Sequence, residues 1–206
     1  MDKPIKHEPA IFENHELEYQ SEFISVKRNG GYYYSERKGV DSVAFVLFNI
    51  SATDEKRVGV IREKKYPVEE YIISAFGGSI DNPRYFEDLR QVVIDETIEE
   101  AGFIVENKDI SYYGKVLVST QMNQYCHLFG VAVDKYKQVQ RTTTNIRELD
   151  SIIVWLTLPE VIQLNDWKAI TIVAKRMAEM NNLIRASKIS VPKFKAAETN
   201  NEDSEQ

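Results

Sequence analysis

The alternation of apolar and polar positions along the chain predicts a series of β-strands. Residues 22–28 and 32–37 are rich in aromatic and β-branched side chains and flank Asn29-Gly30-Gly31, which predicts a β-hairpin. The near-continuous apolar run at 43–49 is typical of a strand that is buried on both faces. By the same criteria, further strands are predicted at 58–64, 72–76, 112–118, 125–133 and 152–156.

Apolar residues at helical spacing predict two main helices, over 89–101 and 167–186, and a short helix that begins at Pro159. In the first helix the residues expected to face the core are Leu89, Val92, Val93 and Thr97. In the longer helix they are Trp167, Ile170, Val173, Ala174, Met177, Met180 and Ile184. Strands combined with these helices predict an α/β sandwich.

The length and composition of the chain suit one domain with terminal extensions. It has 206 residues, of which 43% are hydrophobic, enough for a sizeable core. We divide it into an N-terminal extension with the hairpin at 1–39, a single domain at 40–186, and an acidic tail at 187–206. The tail loses the helical period, so we expect it to be disordered.

The charge of the chain limits the class of partner. Net charge is −6, but the last eleven residues contain four acids and no Lys or Arg, and the remainder carries −2. A nearly neutral body argues against binding to duplex nucleic acid, which needs a basic face. A nucleotide or an RNA end held in a local pocket stays possible.

The cellular location expected from the sequence is cytoplasmic. Cys126 is the single cysteine, so no intrachain disulfide forms, and its strand-like neighbours predict a buried thiol. The first ten residues lack the apolar core of a signal peptide. No apolar run approaches the roughly 18 residues of a membrane span, so we expect no membrane partner.

Four acidic side chains crowd the predicted helix 89–101: Asp95, Glu96, Glu99 and Glu100. Spacings of three and four residues bring them together on a helix surface, where each like-charge pair costs a few tenths of a kcal/mol. One interpretation is a solvated acidic face. The other is a cation site, because converging carboxylate oxygens are what Mg²⁺ or Mn²⁺ requires.

The acidic segment and its flanks resemble the Nudix hydrolase signature. That signature is a Gly, five residues, a Glu, seven residues, and then Arg-Glu-apolar-x-Glu-Glu-x-Gly-apolar. Residues 95–103 match its second half, with Gly102 as the expected left-handed cap of the helix, and Glu87 stands at the upstream Glu. The run 78–81, Gly-Ser-Ile-Asp, is similar to an element of family members that cleave ADP-ribose and other nucleotide sugars.

The chain departs from the family pattern at three points. Eight residues separate Gly78 from Glu87, which indicates an insertion within 82–86. Asp95 replaces the Arg that braces the glutamates in the family, and Thr97 stands at an aliphatic position. Arg84 and Arg90 are the candidates to replace the lost Arg.

The resemblance implies a Nudix-type α/β/α sandwich with a mixed β-sheet, plus the N-terminal β-hairpin extension with which related enzymes build a homodimer. It implies a Mg²⁺ (or Mn²⁺) cofactor held by Gly77, Glu87, Glu96, Glu99 and Glu100. The implied catalytic residues are Glu96, Glu99, Glu100 and a late-loop acid, Glu148, with Asp150 as the fallback. A solvated turn acid is the alternative interpretation of Glu148.

The resemblance also implies a substrate-binding set: Arg62, Lys64, Lys65 and Gly78. A solvated strand end is the alternative for the three cations. Tyr66, Tyr71 or Phe76 could stack on a base, with ordinary packing as the alternative. His7, His15 and His127 lack metal-ligand spacing, and we interpret them as incidental.

The function that follows is metal-dependent hydrolysis of the pyrophosphate bond in a nucleoside diphosphate linked to another group. Divalent ions neutralise such a substrate and lower the pKa of a bound water. ADP-ribose or another nucleotide sugar is the expected substrate, and NAD and RNA 5′ caps contain the same bond. The alternative is a catalytically impaired Nudix-fold module that binds a nucleotide, which Asp95 and the longer loop favour.

Overall fold

The computed structural model describes residues 15–37, 41–49, 57–80, 86–143 and 149–188, with side chains omitted at 86–88 and 183–188. The strands in these ranges are β1 Glu16–Gln20, β2 Ile24–Asn29, β3 Tyr32–Arg37, β4 Ser42–Phe48, β5 Val58–Lys65, β6 Glu70–Ser74, β7 Phe76–Ser79, β8 Ile110–Ser119, β9 Met122–Ala132 and β10 Ile152–Leu156. The helices are α1 Phe86–Glu96, α2 Leu158–Ile162 and α3 Trp167–Lys188. A π-helical turn, Thr97–Ala101, continues α1, and a 3₁₀ turn, Asn107–Asp109, precedes β8.

The described strands form one mixed sheet in the order β1-β2-β3-β9-β4-β5-β10, with β6 on β5, β7 on β4 and β8 on β9. One edge of β9 pairs with β8, and β3 and β4 both run parallel to β9. The register is Ser35 opposite Met122 for β3, and Ser42 opposite Cys126 for β4. The end of β3 therefore lies close to the start of β4. The expected α/β class with a mixed sheet and an N-terminal hairpin is confirmed.

Helices cover both faces of the central sheet. Alternate side chains of its strands point to opposite sides, and both sides carry apolar residues that the helices bury. On one face Phe45 and Phe129 pack with Leu89 and Val93 of α1. On the other face Ala44, Val46 and Leu128 pack with α3, whose buried residues are Ala169, Ile172 and Val173. The apolar run at 43–49 thus belongs to a strand that is buried on both faces, as predicted.

The core-facing side of α3 differs from the predicted stripe. Trp167 is 39% exposed and Met180 is 44% exposed, whereas Ala169 and Ile172, which the stripe omits, are fully buried. Asp166 explains the start of the helix, since its Oδ1 accepts hydrogen bonds from the backbone N–H groups of Ala169 (2.7 Å) and Ala75 (3.4 Å). That anchor leaves the side chain of Trp167 beside the sheet core rather than inside it.

Two strand predictions also need correction. The five residues of β1 are all exposed and lack the alternation by which strands are recognised, so β1 was not predicted. The predicted strand 72–76 is two strands, because the chain changes partner at Ala75: β6 pairs with β5, and β7 pairs with β4. The segments 1–14 and 189–206 lie outside the described residues, as does the greater part of the predicted tail.

The end of the motif helix has a defined geometry. Gly102 has a φ of +70° and donates its N–H to the carbonyl of Ile98 (3.0 Å), and Phe103 donates to Thr97 (3.2 Å). The predicted left-handed cap at Gly102 is therefore confirmed. Thr97 is fully buried, and its hydroxyl donates to the carbonyl of Val93 at 2.6 Å. This internal bond accounts for a polar residue at an apolar position.

We expect Gly102→Ala to lower the free energy of unfolding by roughly 2–4 kcal/mol. Part of the loss comes from the positive φ, and the rest from a Cβ that would lie 2.3 Å from the carbonyl oxygen of Val139. Gly30→Ala is the matched control, since Gly30 has a φ of +58° but nothing within 4 Å of the added Cβ. Urea unfolding of both variants measures the difference; equal losses would contradict the steric contribution.

Candidate active site

A cavity of about 380 Å³ opens where β4, β7 and β9 meet the beginning of α3. Its lining residues come from the hairpin, the sheet, the motif helix and α3: Arg37, Ser42, Val43, Glu63, Lys65, Ala75, Gly77, Gly78, Ser79, Glu100, Val118, Gln124, Cys126, Trp167 and Lys168. Cys126 is buried, as predicted, and this burial raises the pKa of its thiol. The cavity is therefore polar, with three cations and two acids in its wall.

Gly77 and Gly78 form one wall of the cavity, where β7 runs antiparallel to β4. A Cβ at Gly77 would lie 2.9 Å from the carbonyl oxygen of Val43. A Cβ at Gly78 would lie 2.2 Å from Oε1 of Glu96. Only glycine therefore allows the motif helix to place this carboxylate directly against the strand backbone.

The four clustered acids divide into two pairs. Glu96 is half-buried against Gly78, and Glu100 is 6% exposed at the cavity wall. Glu99 is exposed, and Asp95 is exposed with its Oδ1 accepting a hydrogen bond from Gln91 at 2.8 Å. The structure thus places Glu96 against Gly78 and Glu100 in the cavity wall, and leaves Asp95 and Glu99 on the solvent side.

The other acids predicted for the site, and the arginines predicted to brace them, are not shown in the cavity wall. Glu148 lies outside the described residues, as does the side chain of Glu87, while Asp150 is exposed. Arg84 is also outside the described ranges. Arg90 donates to the carbonyl oxygens of Asn107 and Ile110. Its guanidinium therefore ties α1 to the beginning of β8.

The donor set at the glycine wall fits Mg²⁺. Among the described side chains, no group of three or more His, Cys, Asp and Glu is arranged to hold a metal ion. Mg²⁺ is nevertheless commonly bound through one or two carboxylates while it keeps several waters. Glu96, whose carboxylate lies against Gly78, and Glu100, which lines the same cavity as Gly78, are the candidate pair.

Of the residues predicted to bind substrate, Lys65 and Gly78 line the cavity, and Arg62 and Lys64 do not. Alternate residues of β5 point to opposite faces, so Glu63 and Lys65, which form an ion pair, share the cavity side. The guanidinium of Arg62 lies over the ring of Tyr71 at 4.3 Å, and the ammonium of Lys64 lies over Tyr66 at 5.8 Å.

The opposite wall of the cavity contains residues that sequence analysis missed. Arg37 ends β3, Gln124 lies on β9, and Trp167 and Lys168 begin α3. The helix-capping residue Asp166 was the available signal for the position of the last two. No local pattern indicated that Arg37 and Gln124 meet them, because parallel pairing of β3 and β4 with β9 brings these segments together.

A buried cluster around Asp41 holds the end of β7 in place. Its backbone carbonyl accepts a hydrogen bond from Ile80 (3.2 Å), and its Oδ1 accepts one from the N–H of Tyr125 (3.0 Å). Its Oδ2 lies 3.2 Å from Nε2 of His127, whose Nδ1 is 3.2 Å from the hydroxyl of Tyr112. Burial, together with the charge of Asp41, raises the pKa of Tyr112. His127, interpreted as incidental from sequence, is part of this cluster.

Comparison with known proteins places this geometry in a fold class. No protein-family model matches the sequence. No curated protein matches it either. The fold is similar to that of a solved ADP compounds hydrolase, with a TM-score of 0.62 over 84% of this chain and 94% of that chain. Sequence identity is 14%, so the likeness establishes the α/β fold alone.

No helix among the described residues is both long enough and apolar enough to cross a membrane.

We expect Asp41→Ala to lower the free energy of unfolding by about 2–4 kcal/mol, because it leaves the half-buried N–H of Tyr125 and the buried ring of His127 without this acceptor. Asp41→Asn keeps an oxygen acceptor in the same place, so we expect it to lose about half as much. Urea unfolding of both variants is the measurement. Equal losses would show that the charge of Asp41, rather than its acceptor geometry, stabilises the β7 end.

Proposed function

We propose that this protein is a metal-dependent hydrolase of the Nudix type that cleaves the pyrophosphate bond of a nucleoside diphosphate linked to another group. The observation that carries the proposal is the packing of the Glu96 carboxylate against the Gly78 backbone, with Glu100 in the wall of the same cavity. The similar fold of an enzyme described as an ADP compounds hydrolase supports ADP-ribose or another ADP-linked sugar as the substrate.

The side chains around the cavity suit a substrate with a dense negative charge. Lys65, Arg37 and Lys168 line it, and the ion pair of Glu63 with Lys65 orients the lysine. The missing side chains at Gly77 and Gly78 would let a diphosphate approach the strand backbone closely. These groups would hold the two phosphates beside the carboxylates of Glu96 and Glu100.

In the proposed reaction a water attacks one phosphorus, the bond from that phosphorus to the bridging oxygen breaks, and two phosphomonoesters leave. Glu96 and Glu100 would hold Mg²⁺ (or Mn²⁺), with the Gly77 carbonyl, Glu87 and Glu99 as further candidates. When bound, the ion would neutralise developing charge and lower the pKa of the attacking water. Glu148 stays the candidate base that accepts the proton of that water, on the family resemblance.

A second function is a nucleotide-binding module without hydrolysis. Asp95 motivates it, because an acid that faces solvent stands where the family has a bracing Arg. NAD and RNA 5′ caps are alternative substrates of the first function, since they contain the same bond. Substrate panels with product detection distinguish these cases.

We expect Glu96→Gln and Glu100→Gln each to lower kcat/KM at least about 100-fold, because each removes a negative oxygen from the cation site. Asp95→Asn is the matched control: it is a neighbouring acid on the solvent side, and we expect less than about a 3-fold change. Mass spectrometry of products from ADP-ribose and related compounds, with Mg²⁺ or Mn²⁺, is the measurement.

Three outcomes of that experiment are informative. Loss of turnover in the two glutamate variants alone supports the hydrolase. Full activity in Glu100→Gln would remove Glu100 from the mechanism. A folded wild-type protein that binds ADP-ribose in calorimetry but yields no product with either metal would support the binding module.

The proposal includes a homodimer formed through the N-terminal strands. Exposed apolar side chains concentrate there: Leu17, Tyr19, Phe23, Tyr32 and Tyr33. The strand β1 is also the end of the described strand order, so its outer edge can pair with a second copy. Burial of these side chains against their own copies would remove apolar surface from water.

For the dimer we expect the double substitution Leu17→Ser and Phe23→Ser to halve the mass measured by light scattering. The physical reason is the loss of apolar area at the contact. Ile104→Ser is the control, since Ile104 is equally exposed but follows the motif helix. A wild-type protein that is already monomeric at micromolar concentration would refute the proposal.

A further inference from the structure

The side chain of Gln124 is a buried amide that faces the cavity. It is 4% exposed and lines the cavity. It shares a face of β9 with Cys126, on the side that α3 covers. Ligand sites fix the orientation of what they bind through a few polar groups in the cavity wall, so the amide of Gln124 is placed to pair with a bound ligand.

The chemistry of an amide limits what that ligand presents. Gln124 offers a donor and an acceptor on adjacent atoms. A complementary group must therefore present an acceptor and a donor side by side. The edge of adenine does so, with a ring nitrogen next to its exocyclic amine, and Gln pairs with adenine in this way in nucleic-acid recognition.

A second observation at the same cavity favours a flat aromatic ring. Trp167 lines it and is 39% exposed, although it is a large apolar side chain in a polar wall. The Asp166 cap, bonded to both Ala169 and Ala75, fixes the first turn of α3 and hence the position of this indole. Stacking of a base on an indole is a favourable use of such a surface.

We propose that Trp167 and Gln124 form a nucleobase subsite, in which the indole stacks on the face of adenine and the amide pairs with its edge. This assignment rests on the proposed function and adds the part of the substrate that decides specificity. Arg37, Lys65 and Lys168 line the same cavity as the glycine wall, so a diphosphate attached to the base would have cationic partners there. Gln124 is a specificity-determining residue, and Trp167 is a binding residue.

The test measures binding without metal, so that it does not depend on turnover. Calorimetry compares AMP, GMP and ribose 5-phosphate as ligands of the full-length wild-type protein. We expect AMP to bind at least about 10-fold more tightly than ribose 5-phosphate, because stacking and the base edge add to phosphate binding. Trp167→Ala should remove most of that advantage. Met180→Ala, an exposed apolar residue of the same helix outside the cavity lining, should leave it unchanged.

Gln124→Glu tests base recognition through the ratio of AMP to GMP affinity. A purely structural role of Gln124 would not change that ratio. A carboxylate only accepts hydrogen bonds, so it opposes the adenine ring nitrogen but matches the two donors on the Watson–Crick edge of guanine. We expect the ratio of AMP to GMP affinity to fall about 10-fold. Gln124→Met, which has a similar shape but no amide, should bring AMP and GMP to equal affinity and tests the same point if the glutamate variant fails to fold.

The outcomes separate this inference from the proposed function. Equal binding of AMP and ribose 5-phosphate, or equal weakening of all three ligands in the Trp167 and Gln124 variants, would overturn the base subsite. It would leave hydrolysis standing if turnover is observed. Base discrimination that follows these variants in a protein without turnover would support the subsite while the proposed hydrolysis fails.

Discussion

The close approach of the Glu96 carboxylate to the Gly78 backbone is the contact on which the candidate site depends. A side chain as small as a methyl group at position 78 would occupy the space of Oε1. The contact joins a strand to a helix, so it holds only while α1 keeps its packing, with Leu89 and Val93 in the core. The packing of α1 in the core therefore also determines the position of Glu96 in the site.

The end of the motif helix, with the π-helical turn that continues it, separates the four neighbouring acids. It divides them between the glycine wall and solvent, where water screens Asp95 and Glu99. The cost of clustered charge is then concentrated on Glu96 and Glu100. Such turns often occur at functional sites. The capping glycine and the internal bond of Thr97 stabilise a helix end that would otherwise be irregular.

Sequence patterns predicted the parts of the molecule that are encoded locally. The sheet strands, the motif helix and its cap follow from periodicity and from Gly102. The opposite cavity wall does not, because Arg37, Gln124 and Trp167 are far apart in the chain and each has an ordinary local interpretation. Trp167 matched a core stripe, yet it lies in the cavity wall directly after the capping residue Asp166. Side chains alternate along a strand, so Arg62 and Lys65 point to opposite faces of β5. The pairing of β5 with β6 and β10 determines which of the two faces meets the cavity, and Lys65 lies on that face.

The two walls of the cavity come from different parts of the chain. The glycine wall and its glutamates lie within one continuous segment, whereas the other wall is assembled from β3, β9 and the start of α3. Substitutions in those three elements can change which group occupies the cavity without disturbing the contact of Glu96 with Gly78. A motif can therefore indicate a reaction while the substrate stays undetermined, since recognition resides in residues that the fold, not the motif, brings together. Asp166 links the two walls, because one carboxylate oxygen caps α3 and also accepts from Ala75, two residues before Gly77.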